Sequence, residues 1–133
     1  MRTFTHMAHV AIPVFRSRIA PVFDSCLRVL LIHIENDHEI KRTELRFDNL
    51  SSSERIAALQ RAGVTTLICG GISEVLHTML QSSGVCTITG IAGHVEEVLA
   101  AFLANRLDEP QFYMPGRRAS RERPLPDPRG SLK

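Results

Sequence analysis

Residues 63–103 read GVTTLICGGISEVLHTMLQSSGVCTITGIAGHVEEVLAAFL, and this stretch states one pattern twice. A short apolar run, VTTLIC at 64–69 and VCTIT at 85–89, reaches a glycine turn, Gly70-Gly71 or Gly90-Ile91-Ala92-Gly93. An amphipathic segment follows each turn. The first places Ile72, Val75, Leu76, Met79 and Leu80 on one helical face and stops at Gly84. The second turns Val95, Val98, Leu99, Phe102 and Leu103 inward, with Glu96 and Glu97 in the first turn, where the helix dipole favours them. Strand, helix, strand, helix with short loops predicts parallel strands joined by right-handed crossovers.

Working back from this unit, Ser51–Ser53 supply an N-cap for a helix that runs to Gly63, with Glu54 in its first turn. Before it lie three extended segments. HVAIPVF (9–15) alternates, with Val10, Ile12 and Val14 on one side, and Pro13 predicts an irregularity near its end. RVLLIHIE (28–35) is apolar almost throughout and so is expected to be covered on both faces. After Asn36-Asp37, HEIKRTELRF (38–47) breaks strict alternation and reads as an edge strand with an exposed face. Together these predict an antiparallel meander.

The chain has 133 residues, 44% hydrophobic and 23% charged, which suits one domain with a core of its own. The expected division is a flexible extension at 1–8, a folded α/β domain at 9–107 and a disordered Pro/Arg-rich tail at 108–133. That last segment holds five of the seven prolines and carries the whole net charge of +2, so residues 9–107 offer no general basic surface for nucleic acid. No run is long enough to span a membrane, and MRTFTHMA lacks the apolar stretch of a signal peptide, so a cytoplasmic location is expected. Three cysteines without a CxxC argue for free thiols rather than a disulfide framework or a zinc knuckle.

Three segments carry a resemblance: VAIPVFRSRIAPVFDSC, GVTTLICGGISEVLHTMLQSSGV and GIAGHVEEVLAAFL. Together they resemble the dinitrogenase iron–molybdenum cofactor biosynthesis family, of the NifX and NifB C-terminal type, over residues 9–107. The resemblance implies a ribonuclease-H-like fold, with a five-stranded mixed sheet in the order 3-2-1-4-5 and helices on both faces. It also implies a non-catalytic carrier for an anionic molybdenum/iron or molybdenum/copper sulfide cluster or its precursor. The partners it implies are cluster donor and acceptor proteins. Charge and hydropathy lead to the expectation of no nucleic acid or membrane partner, and the exposed strand at 38–47 to that of a monomer or weak homodimer.

On that topology three loops, 15–27, 69–73 and 90–94, meet at one end of the sheet, where ligands of open α/β sheets collect. Arg16, Arg18, Asp24, Gly70, Gly71, Ser73, Gly90 and Gly93 are the candidate cofactor-binding residues. The cations and the helix-opening N–H groups suit an anion. Cys69, Cys26 and His94 are the candidate metal ligands. Each has a plainer reading: Cys69 as core packing, His94 as a helix-start residue facing water, and the glycines as tight turns. Cys86 reads as a small core residue, His77 as solvated, and His9 and His33 as partly exposed strand histidines on one face. A ribonuclease-H-type nuclease would need a carboxylate on the first strand, and residues 9–15 have none. The other alternative is a small-anion or protein-interaction module without metal.

Overall fold

The computed structural model describes residues 7–115; residues 1–6 of the expected extension at 1–8, and residues 116–133 of the expected tail, lie outside the described residues. The chain runs β1 (Met7–Phe15), β2 (Arg18–Ile19), β3 (Arg28–Glu35), β4 (His38–Arg46), α1 (Ser52–Arg61), β5 (Thr66–Ile68), α2 (Glu74–Ser82), β6 (Cys86–Ile88) and α3 (Val95–Leu103). All six strands belong to one mixed sheet whose main path is β4-β3-β1-β5-β6. Leaving out β2, this is the expected order 3-2-1-4-5.

The sheet has six strands, not five. The extra strand is β2, two residues that fold back on the end of β1, pairing Val14 with Ile19 and Phe15 with Arg18. Its brevity hid it inside what reads as a charged loop. Pro13 explains where it attaches. β5 pairs with β1 only at Val10 and Ala11, so beyond them that side of β1 is open until β2 takes over. Pro13 falls in the gap, where no donor is needed, and its carbonyl accepts the Ala20 N–H at 2.9 Å.

Alternation along β1 divides the core into two layers. Val10, Ile12 and Val14 pack with Ile32, Ile34 and Ile68 beneath α3, through Val95, Val98 and Leu99. Ala11 faces the other way, with Val29, Leu67 and Phe47 beneath α1 and α2, through Ile56, Leu59, Leu76 and Leu80. Helices therefore cover both faces. Burial of these side chains, each worth roughly 1.5–3 kcal/mol, is the main force holding the layers together.

Local signals account for the helix ends. Ser51 and Glu54 form a reciprocal capping box at the start of α1. α2 begins three residues later than the Gly70-Gly71 turn, because Ser73 caps it, accepting from the Leu76 N–H. That phase leaves Val75 67% exposed instead of on the inward face. Folded structure also continues past 107. Phe112 is buried against the α3 layer, Tyr113 pairs with Ile91, and the Met114 N–H reaches the Gly90 carbonyl at 2.9 Å.

Candidate functional site

The three loops do meet at the C-terminal ends of β1, β5 and β6, and they meet through their backbones. Gly71 N–H donates to the Pro21 carbonyl at 2.7 Å, and Phe23 N–H returns to the Gly71 carbonyl at 2.8 Å. Ile19 N–H donates to Gly93, and Val95 N–H to Ser17, at 3.0 and 2.9 Å. Gly90 N–H donates to Gly70 at 2.9 Å. The segment 17–23 thus lies across the glycine turns and closes over them.

This closure explains the glycines. A Cβ on Gly70 would sit 2.7 Å from the Pro21 carbonyl oxygen, inside any real contact distance. Gly90 and Gly93 hold φ of 74° and 133°, which side chains rarely adopt. Asp24 is turned inward along the same seam, its Oδ1 accepting the Ser73 N–H at 2.9 Å. α2 therefore starts with its N-terminal groups engaged by Asp24 and Ser73.

α3 starts differently. His94 is its N-cap residue, makes no side-chain capping bond, and is exposed. Arg18 on β2 forms an antiparallel bridge with His94, and its side chain is exposed too. A cation and an imidazole thus stand together beside the first turn of α3. In that turn Glu96 is drawn off by Arg42 at 2.6 Å.

The two site cysteines are deep. Cys69 is fully buried, and burial pushes its thiol up to about 12, helped by the nearby Cys26 and Asp24. Cys26 is 5% exposed, and burial lifts it to about 11, while Arg55 pulls part of the way back. Both are protonated thiols at neutral pH. Arg55 was not legible as a site residue, although it falls on the inward stripe with Ile56 and Leu59. It is buried, donates to the Cys26 carbonyl at 2.7 Å and lies over the Phe47 ring. Cys86, expected in the core, is exposed. It stands on the edge strand β6, where one side of the sheet ends. Among the described residues no three His, Cys, Asp or Glu side chains are placed to hold a metal ion.

Arg16 and Cys26 share a groove of about 370 Å³ beside the β1–β2 hairpin. Near the start of β1, a second cavity of about 430 Å³ is lined by His9, His33 and Lys41. His9 and His33 sit directly opposite each other on β1 and β3, Nε2 to Nδ1 at 2.7 Å, and Glu35 takes the far nitrogen of His33 at 2.7 Å. His77 is half-buried and bonds Thr87 Oγ1 at 2.7 Å, rather than facing water.

What these features define is an α/β domain with one mixed sheet, whose strand-end loops are gathered under a short hairpin. The chain belongs to the dinitrogenase iron–molybdenum cofactor family, whose model matches residues 7–105. That family takes part in the biosynthesis of the iron–molybdenum cofactor. Similar solved structures include PH0822, 18% identical with a TM-score of 0.70, the match covering 74% of this chain and 92% of that one. The mj0327 protein of Methanocaldococcus jannaschii is 19% identical with a TM-score of 0.63, covering 74% and 89%. TM1290 of Thermotoga, described with NifB, is 19% identical with a TM-score of 0.58, covering 74% and 90%. At these identities the likeness speaks to the fold alone. No curated protein matches the chain. Among the described residues no helix is long and apolar enough to cross a membrane.

Proposed function

We propose that this protein carries an anionic molybdenum–sulfide species, with iron as the second metal, between donor and acceptor proteins without turning it over. The family membership favours this cargo. The observation that carries the reading to a place is the pairing of exposed Arg18 and His94 at the start of α3. A guanidinium donates charge-assisted hydrogen bonds to an anion, and a helix start adds partial positive charge. His94 offers an imidazole to a metal at the cargo surface. Arg16 adds a second exposed cation from the same hairpin. Gly90 and Gly93 hold the loop that presents His94. Asp24, Ser73, Gly70 and Gly71 act one step back, fixing the seam on which the hairpin rests. Cys26 and Cys69 are ligands in this scheme only where the cargo draws off their protons. The strand order and two-sided helix cover also support a ribonuclease-H-like fold.

Anaerobic incubation with tetrathiomolybdate, alone or with iron or copper, followed by desalting and metal analysis, tests the reading. A stoichiometric coloured complex is expected with iron, weakened about tenfold by Arg18→Ala, the loss of one charge-assisted contact of about 1.4 kcal/mol. Retention equal in wild type and in the Arg18→Ala/His94→Ala variant would remove this site from the account.

A further inference from the structure

We propose that the groove beside the β1–β2 hairpin docks a partner-protein segment that inserts an apolar side chain and sets a carboxylate against Arg16. The inference shares Arg16 with the cargo reading but does not rest on it, because the apolar residues that define the groove, Phe15, Val22 and Leu27, lie outside the cargo set.

Exposed large apolar side chains are unevenly placed. Phe15 is 58% exposed, Val22 42% and Leu27 59%, and all three line this one groove of about 370 Å³. Met7, Ile40 and Val75 are exposed elsewhere. Single exposed apolar residues are ordinary, whereas three around a concavity mark an interaction surface. The groove is pre-formed. Pro21 is tied to Gly71, and the Cys26 carbonyl is held by buried Arg55.

Arg16 supplies the polar half of the recognition. It occupies the two-residue turn between Phe15 and Arg18 with φ of 60°. Five non-glycine residues among those described have positive φ, and the other four are Asn or Asp, which tolerate it. Hairpin turns of this length favour Asn or Gly there as well. An arginine held in that conformation costs stability, and such strain gathers at functional positions. Its guanidinium lies 5.1 Å from the Phe15 ring centroid and makes no ion pair with a described residue. Among the described residues, the other cation lining the groove, Arg28, is held by Glu44 at 2.6 Å, and no carboxylate lines the groove. The charge complement is therefore acidic. The chain's own net-basic end, residues 116–133, does not match it.

The probe is a capped hexapeptide with a Leu-Phe centre flanked by Asp and Glu, compared with its Lys-flanked counterpart, titrated into the full-length protein by heteronuclear NMR. The acidic peptide is expected to shift the amides of residues 15–16, 22 and 26–28 saturably. Leu27→Ser and Arg16→Glu are each expected to weaken it about tenfold or more. Equal binding of both peptides, shifts elsewhere, or no saturable shift overturns the proposal. A dimer in light scattering that Leu27→Ser converts to monomer overturns it in favour of a second copy. Groove amides that move on Leu125→Ser without peptide overturn it in favour of the chain's own end. Tetrathiomolybdate retention in Leu27→Ser is expected to equal wild type, so loss of docking and loss of cargo binding are read separately.

Discussion

Asp24 and Ser73, 49 residues apart, are joined by one hydrogen bond of 2.9 Å from the Ser73 N–H to Asp24 Oδ1. It fastens the segment after the hairpin to the first residue of the α2 cap. The contact needs an acceptor, not a charge. Asp24→Ala is expected to lower stability by about 1–2 kcal/mol, and Asp24→Asn by less, in urea unfolding. Equal losses in the two variants would show that the acceptor role is misassigned.

The buried thiols set a pH dependence. Unfolded cysteine ionises near pH 9, while Cys26 and Cys69 hold their protons to about 11 and about 12 when folded. Their contribution is complete below pH 9. Above it the unfolded chain loses protons first, and stability falls by about 1.4 kcal/mol per pH unit for each thiol until the folded thiols ionise. Urea midpoints from pH 8 to 10.5 are expected to decline less steeply in Cys26→Ala and Cys69→Ala than in wild type, whatever their offset at pH 7. Parallel curves would refute the assignment. In Ellman titration of the folded protein, exposed Cys86 is expected to react well before the other two.

Gly70 and Gly84 separate two reasons for glycine. Gly70→Ala meets the Pro21 carbonyl at 2.7 Å and Met114 Sδ at 3.2 Å, and a backbone oxygen cannot step aside. A loss of about 1–3 kcal/mol is expected, together with displacement of the segment over the turn. Gly84→Ala has open space and only a φ of 84° to tolerate, at about 1 kcal/mol. Thermal unfolding of both variants checks the order. A milder effect at Gly70 would mean that the seam is loose.

The His9–His33–Glu35 chain dictates its own tautomers when both rings are neutral. Ionised Glu35 offers only acceptors, so His33 Nε2 carries the proton, its Nδ1 accepts, and His9 donates from Nε2. Nitrogen chemical shifts at pH 8 to 9 are expected to report the Nε2–H tautomer at both residues. An Nδ1–H signal at His33 contradicts the chain as drawn.

Long periodic segments were legible because burial acts on them residue by residue. Val10, Ile12 and Val14 had to share a face, and so did Val95, Val98 and Leu99. Glycine turns marked the loop positions for the same local reason. What stayed hidden depends on partners distant in sequence. β2 is too short for a period of its own, and its meaning comes from β1 and His94. In β4, Ile40 breaks alternation because it is the extra residue of a register shift, His33 pairing with Lys41 and Ile34 with Glu39, which composition does not reveal. Arg55 gains its role only from Cys26 and Phe47, which lie outside its own helix and enclose it. Of the candidate site, the meeting of the three loops was legible. That they would bond to one another, and leave Arg18 and His94 outside, was not.

Pro13 also bears on how the chain avoids misfolding. Its carbonyl bonds towards β2, so its ring nitrogen faces the same way, off the β3 ladder. Sliding β1 by one position would turn that nitrogen onto β3 and delete a bond there, while sending Val10, Ile12 and Val14 to the wrong layer. The imino acid therefore acts as a frame marker for the central strand. It penalises every odd-numbered misalignment during folding, when hydrophobic pairing alone would discriminate least among the apolar residues of β1 and β3.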